Sequence, residues 1–372
     1  MGRLTCLDGL RGVLAVYVLL SHMMPFAALP GWLMHPFSHG EAAVDVFFIL
    51  SGMVIAGSLE SFRGEAKPFL VARAARLLPV FFVVFPIAVV IQPLSRGFDR
   101  MPWIGPDSAA RTIWSEHWPS DWAPELATHL TMTHGLFPAL VLPNAWVSFL
   151  GAAWSLSTEW QFYVLMAALT VGCRTRGVRL DVRAATVLLL VIGLAAVAWN
   201  SWAAPQWQFS RAFLPDKAQY FALGLAAARL RRAPDVASVR FYAGTLLAVL
   251  ALSAAWGGPP KLAAPLVWTA CLIAQLGPPI AGMGLLARIL RSPGLLWLGA
   301  ISYPVYLVNE PLQKLLGVTL SALVPGQPIA FTVAWLPGAV LLPLGAAWIL
   351  HRMVEQPGQR WGYRTAPRVI AA

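Results

Sequence analysis

The chain has 372 residues, of which 58% are hydrophobic and 12% charged, and its mean hydropathy is +0.66. Soluble domains are about a quarter charged, so this composition excludes an ordinary soluble globule; several apolar runs approach the roughly 20 residues an α-helix needs to cross the hydrocarbon layer. The net charge of +11 would suit nucleic acid, but the basic residues lie in short loops between apolar runs, as positive-inside topology requires, and no nucleic-acid partner is expected.

Taken in chain order, the apolar runs predict ten spans at about 7–27, 42–59, 77–93, 150–172, 184–202, 212–229, 241–256, 263–286, 294–317 and 329–351. With the N-terminus in the cytoplasm, the inside segments hold Arg3, then Arg63 to Arg76, Arg174 to Arg183, Arg229 to Arg240, Arg288 and Arg291, and Arg352 to Arg368. That places nineteen of the 27 basic residues inside. The predicted fold class is therefore all-α, a polytopic membrane helix bundle of about ten transmembrane helices with both termini cytoplasmic. Residues 1–357 form one membrane domain and 358–372 a short basic cytoplasmic tail.

The first span carries Arg11 and His22, which rules against a cleaved signal peptide. Eleven residues apart, they share one helix face and lie roughly 16 Å apart along the axis at about 1.5 Å per residue. The second span carries Asp45, with Glu41 one turn earlier. Ser51–Gly52 in the same span lacks the elbow of serine hydrolases. Arg73 and Arg76, three apart, are neighbours at the inner boundary; they suit phosphate, whether of a ligand or of lipid head groups.

Between the third and fourth spans, Gln92–Pro143 is expected as a non-spanning outer cap, with Trp103, Trp114, Trp118 and Trp122 at the interface; the alternative for 125–143 is a re-entrant element. His129 and His134 are off the i, i+4 spacing, and no metal is expected there. The three cysteines, Cys6, Cys173 and Cys271, show neither metal nor disulfide spacing.

The fourth span carries Glu159, and the ninth carries Asn309 and Glu310. Ionisable groups at membrane depth are costly, so each is a functional candidate beside a helix-pairing alternative. By rise per residue, His22, Asn309, Glu159 and Asp45 should all lie in the outer half, and Arg11, Arg73 and Arg76 at the inner boundary.

In order, LDGLRG with Ser21–His22, VDVFFILSG, RAARLLP, WSLSTEWQFY, LGAISYPVYL and VEQP resemble the signature segments of the bacterial acyltransferase-3 family of integral membrane O-acyltransferases. The resemblance runs from Leu7 to Pro357 and implies a standalone membrane domain with no C-terminal hydrolase-like domain, multi-pass in the bacterial inner membrane. It implies transfer of an acyl group, most often acetyl, from acyl-CoA as co-substrate to a hydroxyl of a carbohydrate or lipid-linked glycan acceptor, with no tightly bound cofactor. Arg11, Arg73 and Arg76 match donor-binding positions. His22 would be the general base, with Asp45 or Glu159 fixing its tautomer. Asn309 stands where many members have histidine; with Glu310, Tyr306 and Trp154 it is a candidate for acceptor binding or support. The competing readings are a transporter or flippase, against which stands the lack of two related halves, and a non-catalytic sensor.

Overall fold

A computed structural model describes residues 4–94, 98–114, 118–144, 146–277 and 282–365. Arg3, Arg368 and the end of the expected tail lie outside the described residues. Among the described residues fifteen α-helices follow one another. They are α1 (Thr5–Met23), α2 (Gly31–Met34), α3 (Gly40–Ser61), α4 (Ala66–Ile91), α5 (Ala109–Ile113), α6 (Trp122–Leu130), α7 (Ala153–Thr175), α8 (Val182–Trp202) and α9 (Ala218–Arg232), followed by α10 (Val236–Gly257), α11 (Ala263–Leu276), α12 (Met283–Leu290), α13 (Pro293–Leu323), α14 (Pro328–Leu350) and α15 (Gln356–Thr365). Among the described residues the one β pairing is an isolated bridge between Pro138 and Phe209. An all-helical bundle is what the bilayer demands of a spanning chain, since each helix satisfies its own backbone polar groups.

Six helical stretches are long and apolar enough to cross a membrane, and α12 with α13, bent by 61° at their junction, makes a seventh. Two expected spans are shorter than predicted. The segment 212–229 begins with a 3-10 turn, Leu214–Lys217, before α9. The segment 263–286 stops at Leu276, and α12 is a separate short helix. Glycines at Gly64 (φ +69°) and Gly177 (φ +72°) close α3 and α7, each supplying the left-handed residue that ends a helix.

Close backbone contact sets the architecture. A Cβ on Gly9 would lie 1.8 Å from the Leu290 carbonyl oxygen, and one on Gly299 2.0 Å from that of Asp8. Gly9 thus lets the end of α12 approach the α1 backbone and Gly299 lets α13 do so, the small-residue contact that membrane helices use in place of a hydrophobic driving force. The pair α3 and α9 repeats the device through Gly52 and Gly224, where added Cβ atoms would meet the Phe221 and Ile49 carbonyl oxygens at 2.3 and 2.1 Å. Contacts fix relative direction as well. Gly299 lies against Asp8 and Gln313 Nε2 donates to Leu19 O, so α1 and α13 run parallel. Ala28 N donates to Thr332 and the Trp335 indole to Met23 O, so α14 runs opposite to α1.

Among the described residues, the α-helices of the cap between α4 and α7 are the short α5 and α6. Its tryptophans divide: Trp118 and Trp122 are exposed, whereas Trp114 is buried, its ring stacked 3.7 Å from Phe26 and pressed against Gly317. Trp114 therefore anchors the cap to α13 and is not an interface residue, contrary to the sequence reading. In α6 and the following turn, the His129 and His134 rings stack at 4.1 Å. Burial holds both below the usual histidine range, His129 at about 4, so both are neutral packing groups at pH 7.

Candidate active site

Two cavities lie on the line of α1. The first, about 160 Å³, is lined by Arg11, Arg73, Arg76, Ser51, Glu159 and Tyr163 among others. The second, about 690 Å³, is lined by Ser21, His22, Glu41, Trp154, Arg211 and Glu310 among others. The helix rise that separates Arg11 from His22 is what sets the two apart.

In the first cavity, Arg11 reaches across to α13 and donates to Ser302 Oγ at 3.0 Å. Arg73 is 3% exposed and donates to Ser58 Oγ at 2.6 Å, its guanidinium 5.8 and 5.9 Å from the Phe69 and Tyr163 ring centres. Arg76 faces the same cavity and is half-buried. The pair that looks equivalent in sequence is thus divided, Arg73 locked into the helix packing and Arg76 presented. Glu159 accepts from Ser51 Oγ at 2.7 Å and from the Tyr163 hydroxyl. Its carboxylate belongs to the arginine level and not, as its depth in the sequence suggested, to the level of His22. Two carboxylates, Glu159 and Asp8, among three guanidiniums keep the cavity net cationic without leaving every charge unopposed.

His22 sits in the second cavity with its Nδ1 2.7 Å from Asn309 Oδ1. The Asn309 amide nitrogen donates to the Val305 and Tyr306 carbonyls at 2.9 and 2.7 Å. Those two bonds fix which end of the amide faces the imidazole. Asn309 must present oxygen, so His22 must present Nδ1–H, and Nε2 keeps its lone pair. The expectation that Asp45 or Glu159 fixes the tautomer is corrected: Asn309 does so, because α13 packs parallel and close on α1.

Asp45 is fully buried on α3 and paired with Lys217 Nζ at 2.9 Å; it lines neither of the two cavities. Glu41 joins it, 2.6 Å from both Lys217 and Lys261 and 3.6 Å from Arg211. This network ties α3 to the start of α9 and to the turn before α11, and it places Asp45 among ion pairs away from both cavities. Glu310 Oε1 accepts from the Gly151 N–H at 3.2 Å, so it holds the approach to α7 while lining the second cavity. Tyr306 accepts from Ser155 Oγ at 2.9 Å, and Trp154 lies edge-on to Phe48 at 5.7 Å. Ser302, Arg211, Lys217 and Lys261 were not singled out in the sequence, and Ser51 was weighed there only as a serine-hydrolase elbow. The one available signal was Lys217 and Lys261, two of four lysines in the chain.

Comparison with known proteins follows the same lines. The family model described as an acyltransferase domain, acyltransferase-3, matches residues 4–352. The acyltransferase MdmB of Streptomyces mycarofaciens is 26% identical over 98% of this chain and 95% of its own length. A putative peptidoglycan O-acetyltransferase, YrhL of Bacillus subtilis strain 168, is 27% identical over 98% of this chain, which spans 56% of that protein. No solved structure matches significantly. With the match covering nearly every helix that builds the two cavities, the chain belongs to the acyltransferase-3 family and is a bacterial membrane acyltransferase.

Proposed function

We propose that the protein moves an acyl group, acetyl in the first instance, from cytosolic acyl-CoA to a hydroxyl of a cell-envelope carbohydrate or lipid-linked glycan. The observation that carries this reading is the pairing of an arginine-lined cavity with a second cavity holding a histidine of fixed tautomer. In this reading Arg76 and Arg11, supported by Arg73, hold the donor's phosphates through charge-assisted bonds. The pantetheine arm extends along α1 and brings the thioester carbonyl toward His22.

Nε2 of His22 then removes the proton of the acceptor hydroxyl while the oxygen attacks the thioester carbon. As the C–S bond breaks, the CoA thiolate leaves and takes a proton from the imidazolium, so His22 returns to its starting state. Asn309 orients the ring through both steps, the part a second hydrogen-bonding group plays for a basic histidine. An asparagine at this position accepts a hydrogen bond but takes no proton, so of this pair it is His22 that carries the proton of the step. A transporter is not favoured, because the family matched is one of acyltransferases.

The test uses membranes carrying the wild-type or His22→Ala protein, incubated with labelled acetyl-CoA, with mass spectrometry of envelope glycans alongside. Transfer should fall by about 10²- to 10⁴-fold in the variant, the range typical of a lost general base, with acetyl-CoA affinity unchanged. Equal labelling by the two proteins would remove His22 from the chemistry.

A further inference from the structure

The two cavities share two lining residues among those described, Val44 on α3 and Tyr306 on α13. A side chain that forms a wall of both chambers is the whole thickness of the partition between them. Phe48 of the first cavity meets Trp154 of the second edge-on, so a second aromatic contact stands where the two linings meet. The Tyr306 side chain has one hydrogen-bond partner given by the geometry, Ser155 Oγ, itself part of the first cavity's lining. Its main-chain carbonyl holds the Asn309 amide at 2.7 Å. Tyr306 therefore has a fixed backbone, a ring between the chambers and one bond keeping that ring in place.

We propose that Tyr306 is the gate between the donor and acceptor chambers: closed, with Ser155 as its latch, it seals the membrane, and swung aside it admits the acyl arm to His22. The inference rests on the reading of the two cavities as donor and acceptor chambers. Its physical basis is that a chain of polar cavities through a bilayer would conduct protons and water unless something closes it, and a buried phenol with a single side-chain hydrogen bond is the thinnest closure available. A side-chain rotation is fast compared with enzymatic turnover, so such a gate does not limit the reaction. Val44 completes the closure and has no bond to break.

Two measurements test it. Proteoliposomes with a trapped pH dye are given an acid pulse. Wild type should stay tight; Tyr306→Phe, which keeps the ring but loses the same hydrogen bond as Ser155→Ala, should leak about two- to twelvefold faster, and Tyr306→Ala combined with Val44→Ala, which removes the partition, should pass protons faster still. If that double variant does not yield monodisperse protein, Tyr306→Leu, which shortens the wall and keeps an apolar side chain, takes its place. Separately, Ser155→Ala removes the latch. Loss of one neutral hydrogen bond shifts the opening equilibrium about two- to twelvefold, so acetyl-CoA hydrolysis without acceptor should rise by that factor. A folded double variant as tight as wild type would overturn the gate, as would a wild type as leaky as the double variant. Absence of thioester turnover in every protein, with the leak pattern as stated, would instead overturn the acyl-transfer reading and leave the gate standing.

Discussion

At the scale of single residues, Arg73 and Arg76 show how a motif can divide its labour. A guanidinium facing a cavity can form two charge-assisted bonds to a phosphate, each worth about 1.5–3 kcal/mol. Arg76→Ala should therefore weaken acetyl-CoA binding by roughly 10- to 150-fold per bond lost, with Arg76→Lys recovering only part, since an ammonium keeps the charge but not the fork. Arg73→Ala should lower folded yield as well, because Arg73 is buried against Ser58, Phe69 and Tyr163. Calorimetry with acetyl-CoA checks the first outcome and thermal unfolding in detergent the second. If both arginines merely anchored topology, Lys would restore everything.

The acidic pair on α3 gives a second prediction at this scale. Removing one partner of a buried ion pair leaves an uncompensated charge and costs about 3–5 kcal/mol. Lys217→Ala should therefore lower the unfolding temperature, by less than for an isolated pair, because Lys261 still lies 2.6 Å from Glu41 and 3.8 Å from Asp45. Lys217→Met with Asp45→Asn should recover much of the loss. An unfolding temperature unchanged in Lys217→Ala would show that the network is solvated and not structural. The catalytic and helix-pairing readings of Asp45 could not be separated from sequence, because a carboxylate on an apolar helix looks the same whether it faces a substrate or a lysine 172 positions away.

At the scale of elements, the glycines of LDGLRG and LGAISYP have a packing meaning that six-residue motifs cannot express. Each lies where one helix backbone touches another, and α1 against α13 is the contact that joins Arg11 to Ser302 and His22 to Asn309. Gly299→Ala should push the helices apart, since its Cβ would sit 2.0 Å from the Asp8 carbonyl oxygen. Overpacking of this kind costs about 1–3 kcal/mol. A displacement of about 1 Å at the reacting groups can cost about 10²-fold in rate, so transfer should fall further than stability alone would account for. Gly57→Ala, with open space around it, serves as the control and should match wild type in transfer rate and unfolding temperature. The helices themselves were legible in the sequence because apolar length and charge are local. Their partners were not: the Asn309 role, the Tyr306 partition and the Glu159 level all depend on which helices touch.

At the scale of the whole molecule, the arrangement of charge implies an orientation that can be measured. Nineteen of the 27 basic residues fall on one side if the chain crosses ten times from a cytoplasmic N-terminus, which is the bias that positive-inside insertion produces. The relative helix directions are compatible with that alternation. Helices α1 and α13 run parallel, as the first and ninth of ten alternating spans must. Helix α14 runs opposite to α1, as the tenth must. Tags inserted at Gly64, at Gly177 and at the C-terminus should therefore report the cytoplasm, and one near Asp107 in the cap the opposite side. Gly64 and Gly177 are suitable positions because each lies in a turn with positive φ just beyond a helix end, where inserted chain disturbs little packing. The measurement is protection of each tag from an impermeant label in intact cells. Cytoplasmic labelling of the Asp107 site would reverse the cap. It would put the arginine cavity on the outer face, away from cytosolic acyl-CoA, and so remove the physical basis for assigning that cavity to the donor.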